Sequence, residues 1–198
     1  MRGYFIFNLR RYIYAIIGLM LVLYLLPWLV NPSVSLSPNG YDLAEWASLH
    51  PAVREATPAL LTSLLLRLPL ACLALLIAFT TRRGLLPALI VLIAAAALLP
   101  PPEFVKALDD PNYRQQAALA LFTLIGGAVG FSGQLPRARH WIAVGISLIG
   151  ALASGIGLLQ SYELMRGFNL PTQIGMGGVL LALMFVLVAG AETTNQTG

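Results

Sequence analysis

Charge is what this sequence has least of. Only 10% of its 198 residues are Asp, Glu, Lys or Arg, whereas soluble domains carry about a quarter. The chain is 58% hydrophobic, with a mean hydropathy of +0.80. A water-soluble core built from so short a chain cannot hide that much apolar surface, so the bilayer is the expected solvent. Cysteine is nearly absent. Cys72 stands alone inside an apolar run, which excludes an intramolecular disulfide and reads as a buried, inert thiol. The net charge of +4 is small, and no nucleic-acid partner is expected.

Acids are missing from the long apolar runs. Asp42, Glu45, Glu55, Glu103, Asp109, Asp110 and Glu163 lie between or beside them, and Glu192 closes the last one. Proton-driven pumps and ion-coupled carriers usually hold carboxylates at mid-depth, so their absence argues against such machines.

What is present is a series of apolar stretches. A helix needs ~20 apolar residues to cross a bilayer. The expected spans are 12–30, 58–80, 84–100, 116–134, 141–160 and 174–191. The third is short and flanked by Pro87, Pro100, Pro101 and Pro102. The run from Tyr12 to Val30 is too long for a signal peptide and lacks an A-x-A site, so it reads as an uncleaved first span.

With six crossings, Arg2, Arg10, Arg11, Arg82, Arg83, Arg137 and Arg139 fall on one face. Arg54, Lys106, Arg114 and Arg166 share the other with nearly every acid. The positive-inside rule then places both termini in the cytoplasm of a cell inner (plasma) membrane. The expected fold class is an all-α integral membrane protein: residues 1–198 form one six-helix bundle.

The loop 31–57 contains SPNGYDLAEWASLHP. Asn39-Gly40 marks a turn, and Leu43, Trp46, Ala47 and His50 then fall at helical spacing. A short helix on the outer membrane surface is expected, anchored by Tyr41 and Trp46. It serves either as a lid on the bundle or as a docking surface, with Trp46 and His50 as contacts.

The chemistry is sparse. There are two histidines, His50 and His140. They lie a bilayer apart on this topology, so they cannot jointly ligate a haem or metal. Either alone is a candidate axial ligand shared with a neighbouring subunit. No metal site, cofactor or catalytic residue is expected. Gly130-Phe131-Ser132-Gly133 resembles the GxSG motif of rhomboid proteases, a resemblance four residues long. That family needs a histidine on its sixth helix to activate the serine, and 174–191 contains none, so the protease reading fails.

Small residues mark helix packing instead. Gly126 and Gly130 form a GxxxG, and Ser147, Ala151 and Gly155 recur every fourth residue.

The remaining oddity is Arg67, within LLLRLPL. It lies nine residues from Pro58, or about 13.5 Å along a helix. Placing arginine at mid-depth costs at least ~2.5–3.5 kcal/mol. No acid of the chain is expected at that depth. The expected partners are carbonyls, the hydroxyls of Thr62, Ser63, Thr123 or Ser147, water, another subunit's carboxylate, or an anionic or carbonyl-bearing ligand.

The function expected is a non-catalytic integral subunit of a larger membrane complex, such as a respiratory or photosynthetic electron-transfer chain. Its partners would be the lipid bilayer and other membrane subunits. The alternative is a small-solute or lipid transporter, or its membrane substrate-binding component, with Arg67 as its anion contact.

Overall fold

A computed structural model describes residues 9–81, 83–107, 109–168 and 171–194. Among these residues eight α-helices follow one another: α1 (Leu9–Leu25), α2 (Gly40–Leu49), α3 (Pro51–Arg54), α4 (Leu61–Thr80), α5 (Leu85–Leu98), α6 (Pro111–Ser132), α7 (Arg139–Arg166) and α8 (Met176–Thr194). Among the described residues the fold is all-α as expected, with one minor addition: an antiparallel pair of two-residue strands, β1 (Leu29–Val30) and β2 (Gln173–Ile174).

Local chemistry explains the helix ends. α1 stops five residues short of the expected span because Pro27 supplies no N–H and disfavours helix at Leu26. Asn39 is an N-cap rather than a simple turn: its Oδ1 accepts from the N–H groups of Tyr41 and Asp42 at 2.8 and 3.0 Å. α6 begins with Asp110 as N-cap and Pro111 in its first turn, and ends at Gly133 with φ 70°.

α4 is the hub. It packs against α1, α2, α5, α6 and α7, while α8 bridges α7 and α1. α7 meets α4 and α8 along a small-residue seam. Ala143, Ser147, Gly150, Ser154, Gly157 and Ser161 alternate by four and three residues, and all are buried. The mean spacing is 3.6 residues, the period of the α-helix itself, which keeps one stripe facing its neighbours down the helix. Each seam serine returns its hydroxyl to the carbonyl four residues back, at 2.7–2.9 Å. Gly150 and Gly157 let the neighbours close in: an added Cβ would lie 2.6 Å from Phe185 and 3.3 Å from the Leu65 backbone, respectively.

Helices α4, α6, α7 and α8 are long and apolar enough to cross a membrane. The apolar segments Tyr12–Leu25 and Leu85–Leu98 are shorter. At its 14 residues, α5 is about 21 Å long, against a hydrocarbon core of ~30 Å.

α2 forms in the expected loop but presents its apolar face inward. Leu43, Ala44 and Ala47 are fully buried, and the helix packs on α4. Trp46 is half-buried and His50 lies just beyond the helix end.

Candidate functional site

Arg67 is the seventh residue of α4. Side chains on a helix lean toward its N-terminus, so the guanidinium rises from the depth of its Cα toward α2. There Nη2 donates to Glu45 Oε1 at 2.7 Å, and Nη1 donates to Asn112 Oδ1 at 2.7 Å and to Gln115 Oε1 at 3.5 Å. The expectation that no acid of the chain could reach Arg67 is therefore corrected: α2 delivers Glu45 to it. The hydroxyls considered as partners are engaged elsewhere. Thr62 donates to Gln160, Ser63 to the Leu60 carbonyl, Thr123 to that of Leu119 and Ser147 to that of Ala143.

The network extends on both sides of this contact. Gln115 Nε2 donates to the Leu60 carbonyl at 3.1 Å. That bond helps hold Leu60 at φ 58°, an unusual left-handed conformation for a leucine. Tyr24 donates its hydroxyl to the Leu66 carbonyl at 3.1 Å, in the stretch of α4 that carries Pro69 within the helix. Arg54 of α3 donates to the Ser48 carbonyl and pairs with Asp110 at 2.9 Å. Burial pushes the Asp110 carboxyl up. The Arg54 hydrogen bond, the N–H groups of Asn112 and Tyr113 and the Arg54 charge outweigh it, and hold it below the usual carboxylate range. Helices α2, α3, α4 and α6 are thus tied at one end of the bundle by polar groups.

His50 and Trp46 meet beside this network, and Phe168 closes a three-ring cluster with centroids 5.3–6.0 Å apart. His50 Nδ1 accepts from the Ala52 N–H at 3.2 Å, capping α3. In the neutral ring the proton is then on Nε2. An axial ligand would have to offer a bare nitrogen, so this tautomer disfavours the haem-ligand reading of His50.

The other end of the bundle is arginine-rich. Arg139 donates to the carbonyls of Ala78, Phe79 and Thr81, at the end of α4. Arg83 donates to those of Phe131 and Ser132, at the end of α6. Each cation covers the last carbonyls of a neighbouring helix, where the helix dipole is negative. His140 meets Glu192 at 3.3 Å in a cleft of ≈ 580 Å³.

The small residues divide. A Cβ at Gly126 would lie 2.6 Å from Leu75, and one at Gly130 would lie 3.0 Å from the Ala78 backbone, both on α4. Ser147 is fully buried, and Ala151 is partly buried against the core. A Cβ at Gly155 would meet nothing within 4 Å. Inside this chain its packing role passes to Gly150 and Gly157. Sequence reasoning missed Glu45, Asn112 and Gln115. Asn112 and Gln115, three apart where α6 begins, were the available signal.

Four long apolar helices, one of them the buried hub α4, make this a multi-pass helical membrane protein. No family model matches the chain, and no characterised protein or solved structure shows significant similarity to it. Among the described residues, no group of three His, Cys, Asp or Glu side chains gathers as a metal site.

Proposed function

We propose that this chain is a non-catalytic integral subunit of a larger membrane assembly. It crosses a cell inner (plasma) membrane six times, with both termini cytoplasmic and α2 at the extracytoplasmic surface. The observation that carries the reading is the engagement of Arg67 by Glu45 and Asn112. A transporter using Arg67 as its anion contact would need that guanidinium open to solute. Here its donors go to side chains of the same molecule, and the ion pair fixes a surface helix on the hub.

Two further features support the reading. A Cβ added at Gly145 or Gly155 of α7 would meet nothing within 4 Å, and glycines with such open space are seats for a neighbouring helix. The basic residues alternate between loops as six crossings require. The short α5 is accommodated by local thinning of the bilayer.

The test is extraction in mild detergent followed by native electrophoresis. Co-migration with fixed partners is expected. A free monomer or homodimer would favour the transporter.

A further inference from the structure

The geometry points to a binding site for a lipophilic molecule carrying a carbonyl acceptor, in the cleft between α3 and the C-terminal end of α7. The cleft has a volume of ≈ 700 Å³, within the range of small-molecule sites. Its floor is apolar, with Val53, Leu61 and Leu164, and its wall is the half-exposed ring of Phe168. Two residues with hydrogen-bond donors line it, His50 and Gln160. His50 keeps its proton on Nε2 because Nδ1 is committed to the Ala52 N–H. Gln160 commits Oε1 to the Thr62 hydroxyl at 2.8 Å, which leaves its NH₂ to the cleft. Neither Nε2 donates to any described residue.

Two free donors above an apolar floor call for a ligand that accepts hydrogen bonds and is otherwise greasy. Glu163 at the rim repels an anionic headgroup, so a neutral carbonyl fits better than a phosphate. The cleft lies level with the first turn of α4, where Leu61 and Thr62 line it. On the proposed topology this is the depth of the bilayer interface. Two sources supply the chemistry there: the head of a quinone, and the ester carbonyls of a diacyl lipid. The site is independent of the identity of any host complex.

The experiment uses the full chain purified in detergent, with three probes. These are decylubiquinone, a diester phosphatidylcholine, and its diether analogue, which lacks the carbonyls. Retention is read by native mass spectrometry, and affinity by the thermal shift on titration. The fold of each variant is checked by circular dichroism. Binding of decylubiquinone identifies a quinone site. Retention of the diester but not the diether lipid identifies a lipid site. In either case Gln160→Leu and His50→Ser should each weaken binding about tenfold, the loss of roughly one hydrogen bond. Serine at 50 still caps α3. Phe168→Ala, at a position 55% exposed and so safe for folding, should weaken binding as well. Equal retention of diester and diether lipid with no quinone binding would overturn the proposal. So would unchanged affinity in folded Gln160→Leu and Phe168→Ala.

Discussion

Glu45 Oε1 lies 2.7 Å from Arg67 Nη2, and the pair straddles the edge of the protein interior: the Arg67 side chain is 3% exposed and that of Glu45 42%. Loss of either partner therefore has different consequences. Without Glu45, a buried cation keeps only neutral acceptors. Without Arg67, Glu45 turns to water, and the buried Asn112 oxygen loses its donor.

Glu45→Ala and Arg67→Leu should each destabilise the chain by about 1–3 kcal/mol. A double-mutant cycle should give a coupling of about 1–2 kcal/mol, above that of exposed pairs and below that of fully buried ones. Arg67→Lys should recover only part of it, because an ammonium lacks the fork that reaches Glu45 and Asn112 together. Chemical denaturation in detergent reads all of these, and additive single mutants would mean that the contact contributes nothing.

The α7 seam makes a contrast between glycines. Gly150→Leu must push a side chain into Phe185, which a Cβ would already approach to 2.6 Å, at a cost of about 1–3 kcal/mol. Gly155→Leu enters open space, so the folded yield of the isolated chain should barely change. Under the proposed subunit role its effect falls on assembly: partners should be lost on native gels. Equal losses of folded yield from both variants would contradict the seam.

Acid should loosen the tie between α3 and α6. The Asp110 carboxyl is held below its unfolded value, ~3.9. Its contribution is therefore complete above that value and is lost as pH falls through the lower, folded one. Thermal stability followed from pH 7 downward should fall more below about pH 4 in the wild type than in Asp110→Asn. Identical profiles would remove Arg54–Asp110 from the account.

A reporter active only outside the cytoplasm, fused after residue 198, should stay silent. Strong activity would mean an odd number of crossings, with the 14-residue α5 the first segment to question.

Much of the architecture was legible because it rests on local signals. Apolar runs gave the long helices; the ends that Asn39, Pro111 and Gly133 set were not read, although they too rest on local backbone chemistry. The partner of Arg67 was not legible, for two reasons. Depth was counted to the Cα, while the side chain climbs toward the N-terminus of its helix. The lid reading of α2 turned its apolar face onto the bundle, but it did not register that Leu43 and Ala47, packing on α4, bring Glu45 with them. The seam on α7 was half legible. Ser147, Ala151 and Gly155 follow a spacing of four, but the buried stripe alternates four and three, and Gly155 falls off it.

The most direct test of the account is the behaviour of Glu45→Ala in the native membrane. If the ion pair exists to fix α2 for a partner, the variant should keep its helix content by circular dichroism yet leave the assembly on native gels. A wild-type chain that migrates alone, or a Glu45→Ala chain that stays fully assembled, would contradict it.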